Sequence, residues 1–185
     1  MKIAVIGAGI AGVSLAKSLG ALPDYQVELF DKGRGLGGRM SVRHTGAYSF
    51  DHGAQFFTAR TTGFQAFLQT YQSAGLVEAW WPDIVTLAEA ESAGKRAWLE
   101  PHFVALPNMN GLCKAIAADL DVRLNTEVDS IEQSDGRWWL KAAGECLGAF
   151  DWVVSTAPPE QTRRLFPNTT GQAMDVVRFD PCYAL

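Results

Sequence analysis

The sequence predicts an α/β fold in which a parallel sheet carries an antiparallel meander and a smaller α+β segment is inserted. Three observations predict it. The chain opens on an apolar strand, Ile3 to Ile6, that runs through Gly7-Ala8-Gly9-Ile10-Ala11-Gly12 into a helical repeat. A second strand, Tyr25 to Phe30, ends in an acid, Asp31. Further on, short alternating segments broken by Ser134-Asp135-Gly136 read as a meander, before another apolar strand at Asp151 to Thr156.

The glycine turn carries the first functional expectation. Strand, G-x-G-x-x-G and helix together form the Rossmann-like dinucleotide fingerprint, with glycines for the tight turn, for close approach of a pyrophosphate and for helix packing. Gly7, Gly9 and Gly12 fill those places, and Ile10 and Ala11 open the helix whose N–H groups and dipole favour phosphate. Asp31 stands about 20 residues beyond the turn, where a carboxylate accepts hydrogen bonds from ribose hydroxyls and disfavours a 2′-phosphate. Glu28 is the competing acid, but lies mid-strand.

The loop from Asp31 to Val42 holds four glycines and two arginines, ending in Gly37-Gly38-Arg39-Met40. Such a backbone can wrap a ligand closely, and Arg39 can set a planar fork of donors against phosphate oxygens. Tyr48 to Phe57 reads as extended, and Thr61 to Ala74 as a helix ended by Gly75. Short strands are expected at Val77 to Trp80, Ile84 to Leu87 and Arg96 to Leu99. Asn110 is placed to cap a helix from Gly111 to Leu120. Strands follow at Val122 to Leu124, Glu127 to Gln133, Arg137 to Ala142 and Cys146 to Phe150. The strand closing in Ser155-Thr156-Ala157-Pro158-Pro159 leads to a short helix ending at Phe166, and a last strand is expected at Cys182 to Leu185.

Composition excludes several classes. The chain has 185 residues and a net charge of −4, with 48% hydrophobic residues, so a packed core is expected and a nucleic-acid surface is not. No apolar run reaches membrane-spanning length. Three widely spaced cysteines with no C-x-x-C suit a reducing cytoplasm without a zinc site. Most of the six tryptophans are expected in the core or half-buried on strands.

Four stretches together resemble the flavin-containing amine oxidase superfamily, and within it the renalase-like proteins: Val5 to Gly12, Phe30 to Met40, Phe50 to Arg60, and Ser155 to Pro159. The resemblance implies non-covalently held FAD and a small-molecule substrate. Gly7, Gly9, Ile10, Ala11 and Gly12 would meet the pyrophosphate, and Asp31 and Lys32 the adenosine end. Gly38, Arg39 and Met40 would support the phosphates and ribityl chain. Gly53, Ala54, Gln55 and Phe56 would lie near the isoalloxazine, Val128 beside adenine, and Ala157 beside the cofactor. Residues 1–57 and 107–166 would form the FAD-binding domain, and 58–106 and 167–185 part of a substrate domain.

The implied reaction is hydride transfer to the flavin from a dihydronicotinamide-type substrate, with oxygen as electron acceptor. An amine oxidase or desaturase of the same superfamily is the alternative within enzymes. A catalytically incomplete FAD- or ADP-binding module is the alternative of another class. His52 is the one titratable candidate inside the flavin-side motif; on an extended segment its side chain points opposite those of Asp51 and Gly53. His44 and His102 have no partner legible in the sequence. The chain is shorter than these flavoproteins and lacks their Gly-Asp pair. It is therefore expected to be the N-terminal part of a longer protein, or to be completed by a partner chain.

Overall fold

A computed structural model describes residues 1–82 and 100–166. Its centre is a parallel four-stranded sheet. Strand β1 (Lys2–Ile6) leads through helix α1 (Ile10–Gly20) to β2 (Gln26–Phe30). An antiparallel hairpin follows, β3 (Val42–Thr45) with β4 (Tyr48–Asp51), then α2 (Thr62–Ser73). Next come β5 (Val77–Trp80), β6 (His102–Ala105), α3 (Asn110–Ile116) and β7 (Asp121–Arg123). The meander is β8 (Ser130–Ser134), β9 (Arg137–Ala142) and β10 (Glu145–Phe150), followed by β11 (Trp152–Ser155) and α4 (Pro159–Leu165). The sheet order is β11-β1-β2-β7.

The apolar run of β1 is explained by burial on both faces, as parallel sheets require. Ile3 and Val5 pack with Leu29 against Val13 and Ala16 of α1 and against Leu112, Cys113 and Ile116 of α3. Ala4 and Ile6 face the other way, with Phe30, and meet Leu140 and Phe150 of the meander. Phe30 and Phe150 are both fully buried and meet edge to face, with centroids 5.8 Å apart. Such a pair contributes about 1 kcal/mol beyond its area. The inserted segment shares the helix-side core, through Leu68, Val77 and Phe103.

Glu28 points into the meander side of this sandwich, and only 4% of its surface is exposed. Its Oε1 lies 2.6 Å from Lys2 Nζ, and its Oε2 lies 2.9 Å from Arg123 Nη2, close enough for ion pairing but not aligned as a hydrogen bond. Lys2 also sits over the Phe150 ring and Arg123 over the Phe30 ring. The mid-strand acid thus has its own structural partner set, Lys2 and Arg123.

Several sequence expectations are corrected. The third helix is shorter: Met109 takes the cap position, Asn110 is buried in the first turn, and the helix ends at Ile116. The chain must turn there to enter β7, and Leu120 N–H bonds the Ala117 carbonyl in that turn. The hairpin strand β3 and the strand β6 lack a clear apolar alternation and were not expected. Glu127 to Asp129 lies outside β8. The last sheet strand is half-buried, since β1 is its one neighbour in the described sheet. Trp80, Trp81, Trp139 and Trp152 are exposed, contrary to expectation. Trp139 alternates outward from Leu140, and Trp152 opens the outer strand. The helix from Thr62 and the Asp135-Gly136 turn, both residues at positive φ, agree with the sequence. The strands expected at 84–87, 96–99 and 182–185 lie outside the described residues.

Two predictions follow from this packing. Glu28→Ala removes a buried carboxylate between two partly exposed cations and lowers stability by about 2 kcal/mol in urea unfolding. A change below about 0.5 kcal/mol would contradict its structural role. Cys113 is fully buried, and burial pushes its thiol up to about 11. The folded state therefore keeps a proton that the unfolded thiol releases near pH 8.5. This stabilisation is complete below that pH and is lost as pH rises towards about 11, an effect of about 3 kcal/mol. Urea unfolding of wild type and Cys113→Ala at pH 8 and 10.5 measures it; parallel alkaline losses in both would refute it.

Candidate cofactor-binding site

A cleft of about 500 Å³ opens at the C-terminal ends of β1, β2 and β11. Ligand pockets fall in this size range, and open α/β sheets place them at this edge. The turn after β1 forms its floor. Helix α1 has Gly9 at its cap position, with no side-chain cap and no acid in the first turn. Its first N–H groups therefore have no side-chain acceptor, and Ile10 and Ala11 line the cleft. Gly12 does not line it. Instead it lets the helix close on the strand: a Cβ at Gly12 would collide with the Gly7 carbonyl oxygen.

Asp31 is wired into the same turn. Its Oδ2 accepts the Ala8 N–H at 2.6 Å and its Oδ1 accepts the Gly33 N–H at 2.6 Å. Each carboxylate oxygen retains a further lone-pair direction. The Asp31 carbonyl accepts Thr126 N–H at 2.9 Å, which draws residues 126–129 to the cleft wall. Across the turn, Gly37 N–H donates to the Ala8 carbonyl at 3.0 Å, and Gly9 and Gly37 form a parallel bridge. The loop then makes a 3₁₀ turn, Gly38–Met40, beside the helix start. Thr156 Oγ closes the third side, sharing its proton between the Ile6 and Gly7 carbonyls at 3.0 and 3.1 Å.

Eleven expected residues line the cleft together: Gly7, Gly9, Ile10, Ala11, Asp31, Lys32, Gly38, Arg39, Met40, Val128 and Ala157. The Arg39 side chain makes no ion pair or hydrogen bond among the described residues. Lys32 Nζ lies 3.7 Å from Glu127 Oε1 at the rim.

Gly53, Ala54, Gln55 and Phe56 do not line this cleft. They lie beyond its Arg39–Met40 wall. Ala54 N–H donates to the Arg39 carbonyl at 2.8 Å, and a Cβ on Gly53 would strike that same oxygen. Asp51 Oδ1 accepts Met109 N–H at 3.0 Å, tying this stretch to α3. His52 is exposed, 3.4 Å from Ser41 Oγ, and outside the cleft lining. His44 and His102 do have partners: Ser49 Oγ at 2.8 Å, and the Glu100 carbonyl at 3.2 Å.

The sequence reading missed Thr126, Glu127, Thr156, Gln161 and Arg164, all in the lining. A signal existed for the last two. Pro158-Pro159 starts a helix, and positions 161 and 164 then fall on the face continuing from Ala157.

Comparison with known proteins agrees with this geometry. Residues 5–71 match the family described as NAD(P)-binding Rossmann-like domain, and residues 100–185 match flavin containing amine oxidoreductase. A 53-residue stretch is 42% identical to 4,4′-diapophytoene desaturases of Staphylococcus aureus strains Newman and USA300, covering 29% of this chain and 10% of theirs. A putative protoporphyrinogen oxidase from Exiguobacterium sp. 255-15 superposes with a TM-score of 0.73 at 13% identity, over 95% of this chain and 63% of that one. That likeness shows the shared fold. The chain spans less than two thirds of these relatives. The two family matches liken successive parts of the chain to a Rossmann-like nucleotide-binding domain and to the flavin-dependent amine oxidoreductases.

Proposed function

We propose that the chain holds FAD non-covalently in the 500 Å³ cleft and belongs to an oxidase of renalase-like type. One observation carries the cofactor assignment: the uncapped start of α1, the Asp31 carboxylate and the free Arg39 guanidinium converge on a single cleft. The donor set fits the group. Backbone N–H groups at a helix start suit a pyrophosphate, and Arg39 adds a charge-assisted donor. Asp31 suits a ribose with a free 2′-hydroxyl. Val128 and Thr126, on the cleft wall, would lie at the adenine end.

When bound, FAD supplies two-electron chemistry, accepting a hydride from a substrate C–H bond and returning the electrons to oxygen. The residues of this chain bind and orient. Hydride loss from a dihydronicotinamide ring needs no dedicated acid or base. His52 has no part in this reading. The protein would act on a small molecule in a reducing cytoplasm, a setting supported by free Cys113 and Cys146.

A desaturase is the second reading, favoured by the 42% identity with the diapophytoene desaturases. Anaerobic bleaching of the bound flavin separates the two: a dihydronicotinamide dinucleotide bleaches it in the first, and an apolar polyene in the second.

The cofactor assignment is tested by flavin uptake. Wild-type protein incubated with FAD and desalted retains a flavin absorbance band, and Asp31→Ala weakens FAD binding at least about tenfold. A folded wild-type protein that takes up no FAD would overturn the proposal. Equal FAD affinity in a folded Asp31→Ala protein would remove Asp31 from it.

A further inference from the structure

A second cavity, of about 120 Å³, adjoins the cleft. Ile10 and Met40 line both spaces, so the two share a wall. Ala54, Phe57 and Phe64 contribute further lining, and Met109 and Leu112 complete it from the start of α3. The lining is apolar throughout, and no polar surface reaches the space. The recess is half open rather than enclosed, and its walls offer a guest only apolar contact. Apolar cavities of about 150 Å³ in other proteins take benzene or xenon. Here two thioethers and the Phe57 and Phe64 rings, 5.9 Å apart, present polarizable surface to a guest.

We propose that this recess binds a small, uncharged, apolar guest of xenon to benzene size, placed against the Ile10–Met40 wall of the cleft. Among the described residues the lining offers no donor, acceptor or charge, which disfavours polar guests. The physiological guest is then either a dissolved apolar gas such as dioxygen or the apolar end of a substrate. Both share the same chemistry and differ in size. The assignment does not rest on the flavin reading, because the seven lining residues all belong to the chain itself.

Xenon and benzene are the probes, used on the cofactor-free chain. The ¹²⁹Xe chemical shift is titrated with protein under xenon pressure, and the thermal midpoint is followed with added benzene. Wild type gives a saturable, single-site xenon shift. Xenon binding together with a benzene-dependent rise in midpoint supports a ring-sized guest; xenon binding alone supports a gas-sized one. Phe64→Trp fills the recess from half-buried α2, and Leu112→Phe fills it from α3, so one serves if the other fails to fold. Each weakens xenon binding at least about tenfold. No saturable xenon shift in folded wild type overturns the proposal, as does an unchanged xenon affinity in a folded filling variant. Neither measurement contains flavin, so a failure here is distinct from a failure of FAD binding.

Discussion

The cleft depends on one close approach, the packing of the first glycine turn against the Gly37–Gly38 loop with the Asp31 carboxylate between strand tip and turn. Ala8 is the crossing point. Its N–H goes to Asp31 and its carbonyl receives Gly37 N–H. A polar group left without a partner in such a place costs about 1–3 kcal/mol, so the two bonds fix the turn as firmly as its φ/ψ angles do. The contact chain continues outward: Arg39 carbonyl to Ala54 N–H, and Asp51 to the N–H of Met109. Loop geometry at the cleft is thereby tied to the start of α3.

The layers beneath keep that arrangement in register. Helices α1 and α3 cover one face of the parallel sheet and the meander covers the other. A slip of one residue in β1 would exchange Ala4 and Ile6 with Ile3 and Val5, and would move Lys2 away from Glu28. The ion group Lys2–Glu28–Arg123 therefore specifies register as well as contributing energy. It also explains why one strand carries two acids with different roles. Glu28 is surrounded by core and ion partners, whereas Asp31 emerges at the strand tip into the cleft.

Much of this was legible in the sequence because short-range rules set it. The glycine spacing, the apolar β1, the acid after β2 and the Asp135-Gly136 turn all have local causes. The cleft residues that escaped notice did so because their role is tertiary. Thr126 and Glu127 reach the cleft only because Asn125 and Thr126 bond back to Gly33 and Asp31. Gln161 and Arg164 reach it only because α4 lies where β11 ends. The stretch Gly53 to Phe56 shows the other side of this. Its motif is local, but its position is set by backbone contact with Arg39, which puts it behind the cleft wall. Strands β3 and β6, four residues each, were too short for alternation to show.

The most direct test of a single dinucleotide cleft built from separated chain segments is amide hydrogen exchange with and without FAD. Binding there slows exchange together in residues 7–12, 31–33, 37–40, 126–129 and 156–158. No slowing in these segments at saturating FAD, or slowing confined to another part of the chain, would contradict it.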